Sequence, residues 1–472
     1  MALRSYDVVI IGGGQAGIPL AFELAVAGHQ VALAERKQLG GSCVNFGCTP
    51  TKAAIASAKL AHQARRAQEY GLRIPTVDVD FKAVLDRANA LAARSRDSLT
   101  HRFKESKNPV LLEGHASFDG RDGERLRVRV GDQTVLARHV VLDTGTRSLI
   151  PPLPGLEEVD YLHASNWLDR SELPGHLAVI GGGYIGLEMG QMYRRFGSEV
   201  TIIDQAAQIA GHEDEDVAEA LQTILESEGI RFLLRTGVSR VEVSPGGVRL
   251  DLAGPQGERL EATHLFIATA RKPNTDALAL GTIGLEANER GIIEVNERLA
   301  TKVPGVWAVG DIRGGPMFTH TAWDDYRIVF SQLAGDGRRT TDRVVPYALF
   351  TDPELGRVGM TEEQARQAGK SIRVGRFEMK ANGKARELGE TQGFIKVIVE
   401  AGTHQILGAA VLAADGAELV HLYVDLMNAK APYQVLENAV HIHPTLAEAV
   451  QSAVSDLPET IDQRMPNVQS VK

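Results

Sequence analysis

One pattern occurs twice in this chain and restricts its fold more than any other feature. An apolar run, Tyr6-Asp7-Val8-Val9-Ile10-Ile11, leads into Gly12-x-Gly14-x-x-Gly17. A helical stretch to about Ala27 follows, then a second apolar run at residues 30–34 that ends in Glu35. The first glycine allows a tight turn, the second lets backbone approach a pyrophosphate, and the third lets helix pack on strand. The closing carboxylate is placed to accept a hydrogen bond from a ribose 2′-hydroxyl. The same order returns with Leu177-Ala178-Val179-Ile180, Gly181-x-Gly183-Tyr184-Ile185-Gly186, a helical run to about Phe196, residues 199–203 and Asp204. A lone glycine motif is weak. Strand, loop, helix, strand and terminal acid together specify a parallel βαβ unit that binds a dinucleotide. Two copies imply two nucleotide ligands, or one ligand and a degenerate copy. Asp204 favours NAD(H) over NADP(H), because a carboxylate repels a 2′-phosphate and residues 205–210 supply no Arg or Lys.

Between the copies lies Gly40-Gly41-Ser42-Cys43-Val44-Asn45-Phe46-Gly47-Cys48-Thr49-Pro50-Thr51-Lys52, which holds both cysteines of the 472-residue chain in a glycine-flanked loop. The Ala-rich stretch at residues 53–67 reads as helix, so Cys48 is expected near a helix N-terminus, where the dipole and free N–H groups favour a thiolate. A disulfide-stapled scaffold uses more cysteines, and a structural zinc site usually takes four ligands. A redox dithiol fits better than two buried, inert cysteines.

The length suggests about two to four domains with ample core. Hydrophobic content of 43% and charged content of 24%, with 48 glycines, describe a soluble α/β protein rich in tight turns. A net charge of −9 without a basic cluster gives no nucleic-acid footprint. Met1-Ala2-Leu3-Arg4 and Ala25-Val26-Ala27 imitate a signal peptide, but Asp7 and Gly12-Gly13-Gly14 interrupt the apolar core. No apolar run reaches transmembrane length. With so few cysteines, the expected location is cytoplasmic, without membrane contact.

Residues 53–70 and 81–105 read as two amphipathic helices in a hairpin, and residues 110–142 as a β-meander ending in Asp143-Thr144-Gly145. Pro151-Pro152-x-Pro154-Gly155 is a linker signal. Residues 265–270, then Arg271-Lys272-Pro273-Asn274, close the second unit. Val306-Trp307-Ala308-Val309-Gly310-Asp311 reads as a further strand. Beyond Val345 come β-hairpins (394–399, 406–412), a helix at 416–429 and a C-terminal helix after His443-Pro444.

In this order the motifs resemble the flavin-dependent pyridine nucleotide–disulfide oxidoreductases across essentially the whole chain. The most specific markers are Gly-Gly-x-Cys-x4-Cys-x3-Lys at 40–52, Gly310-Asp311, and His441-Ile442-His443-Pro444-Thr445-x-x-Glu448. The resemblance implies an α/β fold with two Rossmann-like dinucleotide-binding domains, for FAD (1–150 and 271–344) and NAD (151–270), plus a C-terminal α+β dimerisation domain (345–472). It implies FAD at Gly12, Gly14, Gly17, Glu35, Gly41, Ser42, Gly114, His115, Ala116, Thr144, Gly145, Gly310, Asp311 and His320. NADH is implied at Gly181, Gly183, Tyr184, Gly186 and Asp204, with Arg271 as a further cofactor contact and NADPH less favoured. Lys52 matches the family's lysine beside the flavin, paired with Glu188. Cys43 and Cys48 match the redox disulfide, Cys48 facing the flavin and Cys43 the substrate. His443 matches the base, oriented by Glu448, and reaches the partner subunit's site, so a homodimer with a shared active site is implied. His441 and His443, two apart on a possible strand, lack a third ligand, so no metal site is expected.

Within the family, the absence of a cysteine pair before Val471-Lys472 and of an N-terminal metal-binding domain argues against mercury specialisation. Asp204 argues against glutathione reductase, although Tyr184 matches its gating tyrosine. Pro316-Met317-x-x-His320 and the His-Pro-Thr segment look like dihydrolipoyl dehydrogenase. Phe318-Thr319, Asp324-Asp325-Tyr326-Arg327-Ile328-Val329 and Arg357-Val358-Gly359-Met360-Thr361-Glu362-Glu363-Gln364-Ala365 look like the mercuric-reductase-like, reactive-chlorine-resistance branch, and this set is longer. The expectation is a reductase of a metal ion or small oxidant, with a lipoamide enzyme as the alternative. A flavin-binding subunit without chemistry is disfavoured by the intact Cys43, Cys48, Lys52, Glu188 and His443. Asp143, and Ala270 in place of a glycine, depart from the family pattern.

Overall fold

The computed structural model describes residues 3–255 and 259–458. Val471-Lys472, and Met1 and Ala2 of the apparent leader, lie outside the described residues. The chain divides into two compact units, one comprising residues 1–60, 78–174 and 264–343, the other residues 61–77, 175–263 and 344–472.

In the first unit the strand Arg4–Ile11 sits inside a seven-stranded sheet. It pairs in parallel with Val31–Glu35 on one side and Gln133–Leu142 on the other. Val110–Glu113 extends the parallel part beside Val31–Glu35, and Val306–Ala308 pairs in parallel with Gln133–Leu142. Val8, Val9 and Ile10 are all fully buried because both faces are covered. Val9 and Ile11 point into one cluster with Leu126, Val128 and Ile312, while Val8 and Ile10 point into another with Leu20, Leu24 and Val329. The helices Gly17–Val26 and Thr319–Ala334 contribute the second cluster's apolar side chains.

Two expectations need correction here. Only Ala116–Asp122, Arg125–Val130 and Gln133–Leu142 form the antiparallel meander, since Val110–Glu113 belongs to the parallel sheet. Nor does Cys43 lie in an open loop. Gly40 and Gly41, at φ +97° and +62°, turn the chain into a short helix Gly41–Asn45, and Cys48 begins the helix Cys48–Arg65. The helix Phe81–Glu105 starts at Asp80, whose carboxylate accepts from the Ala83 amide (2.9 Å). Arg87 donates to the Ala53 carbonyl (2.7 Å), tying this helix to the one that Cys48 begins.

In the second unit, His176–Ile180, Glu199–Ile203 and Ile230–Leu233 pair in parallel around the helix Tyr184–Phe196. Residues 344–458 build a five-stranded antiparallel sheet in the order Pro346–Leu349, Glu354–Gly359, Ile406–Ala413, Phe394–Glu400, Ile372–Glu378. The last described helix, Ala447–Ser455, buries Ala449, Val450, Ala453 and Val454 in the same core as Val397 and Val411. The expected helix at 416–429 is two pieces, Gly416–Leu419 and His421–Asn428. His441 and His443 lie on an irregular segment rather than a strand. Among the described residues, no helix is long and apolar enough to cross a membrane.

Candidate active site

The two glycine loops are built alike. Gly12 and Gly181 adopt φ of +110° and +116°, and a Cβ on Gly17 or Gly186 would lie 2.4 or 1.9 Å from the carbonyl oxygen of Gly12 or Gly181. Each terminal acid grips the second residue of its own loop. Glu35 accepts from the amides of Gly13 (2.8 Å) and Lys37 (2.7 Å), and Asp204 from those of Gly182 (2.6 Å) and Ala206 (2.7 Å). Both carboxylates are thus held in place by backbone amides, and each keeps lone pairs for a further donor. The Arg235 amide donates to the Ala206 carbonyl (2.9 Å), so a cation originates beside the Asp204 loop. Sequence reading of residues 205–210 could not find it.

Around the first loop, the Gly114 amide donates to the Glu35 carbonyl (2.9 Å), His115 Nε2 lies 3.0 Å from the Ala277 carbonyl, and Ala116 is buried at the start of its strand. Thr144 donates to the Asn274 carbonyl (3.0 Å) and accepts from its side-chain amide (2.8 Å), while Gly145 accepts from the Asn274 backbone (2.9 Å). Ala270 accepts from Leu149 (2.9 Å) and has no left-handed backbone, so its Cβ is tolerated.

Asp311 is reached from two sides. Thr146 donates to its Oδ2 (2.8 Å) and accepts from Arg271 Nε (2.6 Å). Beneath it, the fully buried Asp325 accepts from the Gly310 amide (2.8 Å), Arg313 (2.7 Å) and Arg343 (2.6 Å). Asp325 was legible as an acid on the apolar Ala322, Ile328, Val329 face of a helix. Thr146 carries no such signal.

Cys43 is half-buried and Cys48 exposed. Asn45 pins the helix Gly41–Asn45 by donating to the carbonyls of Leu39 (3.0 Å) and Gly41 (2.9 Å), and Arg96 donates to Asn45 (3.0 Å). Buried Trp167 donates to the Phe46 carbonyl (3.0 Å). A hydrogen bond to Cys48, then burial and the Cys48 charge, push the Cys43 thiol far above its usual range, against the pull of Thr319 and the Lys52 ammonium. One thiol therefore keeps its proton and donates it to the other sulfur. Cys48 Sγ lies 3.3 Å from Thr319 Oγ1, at the start of the helix Thr319–Ala334, and His320 stacks on Phe318. Ser42 lies in the same short helix as Cys43.

In the second unit, Glu188 is buried and accepts from the Phe350 amide (2.9 Å). Lys52 belongs to the first unit and Glu188 to the second. Tyr184 and Tyr347 both donate to Glu213 Oε1, at 3.1 and 2.8 Å, with their rings 5.5 Å apart. Burial, then the Glu213 charge, raises both phenols, so they remain donors. Glu213 Oε2 faces Arg357 Nε at 3.6 Å, and neither side chain is exposed. Arg357 betrayed itself as a charge inside an apolar strand; Glu213 and Tyr347 did not.

His443 Nδ1 lies 3.0 Å from Glu448 Oε1, and the Thr445 amide donates to Glu448 Oε2 (2.8 Å). The amide first, then the imidazole, holds the Glu448 carboxyl below its usual range. Glu448 therefore receives the Nδ1 proton and leaves Nε2 of the exposed ring as the atom that accepts another. Among the described residues, no group of three or more His, Cys, Asp or Glu is gathered to hold a metal.

Residues 6–325 match the pyridine nucleotide-disulphide oxidoreductase family, and residues 345–454 match its dimerisation domain. The probable pyridine nucleotide-disulfide oxidoreductase RclA of Escherichia coli is 36% identical over 96% of this chain and 99% of its own length. Dihydrolipoyl dehydrogenase of Cupriavidus necator is 33% identical over 98% of this chain and 100% of its own. A solved structure of the HOCl-induced flavoprotein disulfide reductase RclA in complex with Cu(II) superposes with a TM-score of 0.86 at 35% identity, covering 96% of this chain and 99% of that one. LpdA of Mycobacterium tuberculosis shares the fold, with a TM-score of 0.88 at 24% identity over 96% of this chain and 99% of that one.

Proposed function

Because this chain belongs to the pyridine nucleotide-disulphide oxidoreductase family, we propose that it moves electrons from NADH through FAD to the Cys43–Cys48 pair and on to a metal ion or small oxidant. The observation that carries this reading is the paired thiols at the start of a helix, one held as a proton donor to the other. The first glycine loop, without side chains at 12, 13 and 14 and closed by Glu35, fits a dinucleotide, as does Asp311 with Arg271 behind it. FAD, when bound, supplies the two-electron carrier between nucleotide and sulfur. Asp204 favours NADH over NADPH on the second loop. The domain division read from the sequence, at 150, 270 and 344, belongs to this proposal, as does the Lys52–Glu188 pair beside the flavin.

In the reductive half, two electrons and one proton convert the Cys43–Cys48 disulfide to a Cys43 thiol and a Cys48 thiolate. In the oxidative half, the thiol–thiolate pair returns to disulfide as two electrons leave, for example to two Cu(II) ions that become Cu(I), and the one proton is released. His443 of the partner subunit, oriented by Glu448, takes the Cys43 proton so that a thiolate faces the acceptor. The site is therefore shared across a homodimer, and a dithiol that must cycle suits a reducing, cytoplasmic compartment.

The Cu(II)-bound RclA structure favours the metal or oxidant acceptor. The 33% identity to dihydrolipoyl dehydrogenase, together with Pro316-Met317-x-x-His320, keeps dihydrolipoamide as the second reading. Two steady-state rates separate them. NADH oxidation driven by Cu(II), Hg(II) or a quinone, with negligible NADH formation from dihydrolipoamide and NAD⁺, supports the first. Dihydrolipoamide turnover of about 10² per second or more overturns it.

A further inference from the structure

Asp143, before Thr144-Gly145, is with Ala270 one of the two positions read as unusual for the family, and the structure shows what it touches. It follows the strand Gln133–Leu142, its amide donates to Ile11 (2.8 Å), and its side chain turns under the glycine loop. Oδ2 accepts from the Gly17 amide at 2.7 Å, at the start of the helix Gly17–Val26. A Cβ on Gly14 would lie 2.6 Å from Oδ2, and one on Gly310 would lie 3.2 Å from Oδ1. The carboxyl is thus wedged between the loop and the Gly310-Asp311 turn. In the second copy, a Cβ on Gly183 would meet nothing within 4 Å, so this wedge is peculiar to the first site.

The charges around Asp143 do not neutralise it. Asp311 and Asp325 face it from the Gly310–Arg313 turn and the helix Thr319–Ala334. Arg313 and Arg343 are bound to Asp325, Arg271 lies against Asp311, and Glu35 is held by backbone amides. Burial raises the Asp143 pKa well above the carboxylate range, the Gly17 amide opposes this, and the two aspartates add to it. A diphosphate seated on the same loop brings further negative charge and competes for the same helix-start amides.

We propose that Asp143 couples cofactor binding to protonation, so that seating the FAD pyrophosphate on the Gly12–Gly17 loop takes up one proton at this carboxyl. The inference rests on FAD occupying the first loop. Oδ2 keeps the Gly17 N–H, so the proton comes from solvent to Oδ1.

The test uses apoprotein stripped of flavin and re-titrated with FAD, followed by flavin fluorescence between pH 5.5 and 9 and by calorimetry in two buffers of different ionisation enthalpy. For the wild type, Kd should rise by up to about tenfold per pH unit wherever free Asp143 is ionised, with close to one proton taken up per FAD there. Asp143→Asn should bind FAD with a flat pH profile and no proton uptake. Zero uptake by the wild type at every pH overturns the proposal, as does the same slope and proton count in Asp143→Asn. Should the asparagine variant not fold, Asp143→Ser replaces it in the same comparison, and zero uptake by the wild type overturns the proposal without any variant. Apoprotein that binds FAD at no pH would defeat the assignment of FAD to this loop, a different failure from FAD binding without proton uptake.

Discussion

Arg271 and Asp311 stand 3.8 Å apart with the hydroxyl of Thr146 between them, accepting from the guanidinium and donating to the carboxylate. The three residues come from distant parts of the chain, and together they fix the carboxylate that follows Gly310. Thr146→Val keeps the shape and removes both hydrogen bonds. Charge-assisted bonds of this kind are worth about 1.5–3 kcal/mol each, so FAD should dissociate about tenfold or more faster, with Thr146→Ser restoring retention. Flavin release measured by fluorescence decides.

His443→Gln should slow turnover of the dithiol by a factor of about 10² or more, because it removes the proposed base while leaving the position filled. Flavin reduction by NADH in stopped flow should stay fast. Equal slowing of both steps would make the residue structural.

Glu213 and Arg357 form a fully buried ion contact that also anchors Tyr184 and Tyr347. Removing one charge strands the other, at a cost of about 3–5 kcal/mol. Arg357→Met should therefore lower the urea midpoint of the holoprotein sharply, and adding Glu213→Gln should recover much of the loss. A single variant as stable as the wild type would show that the pair is already solvated.

Lys396 holds Glu362 (2.6 Å), Asp216 (3.0 Å) and Asp214 (3.3 Å). Burial pushes Asp214 and Glu362 up, but for Asp214 the amides of Glu362 and Glu363 with Lys396, and for Glu362 Lys396 with Arg366, more than offset it. Both folded-state pKa values lie below normal. A depressed carboxylate stabilises the fold above its unfolded pKa and loses that contribution as pH falls through the folded one. Stability of the second unit should thus decline below about pH 4, and Asp214→Asn should flatten that part of a melting-temperature profile. An unchanged profile would remove this cluster from the acid response.

The two phosphate loops and the thiols were legible because their geometry is written in short spacings. Gly12 and Gly181 need their backbone angles, Gly17 and Gly186 need their missing side chains, and Cys48 needs only the helix that follows it. Gly40 and Gly41 misled because a glycine pair signals a loop, whereas here it turns the chain directly into the helix carrying Cys43. Thr146 with Arg271, and Glu213 with Tyr347, act across more than a hundred residues of chain, and ordinary side chains joined by folding leave no local pattern. Asp143 lay between these cases: visible as a departure, but without meaning until the Gly17 amide was seen on its carboxyl.

The two sulfurs are proposed to exchange electrons with the flavin and to differ in role. Anaerobic titration of the purified protein with one equivalent of NADH tests it most directly. The wild type should develop a long-wavelength absorption band, Cys48→Ser should lack it, and Cys43→Ser should show it before any NADH is added. Simple bleaching in all three proteins would contradict the account.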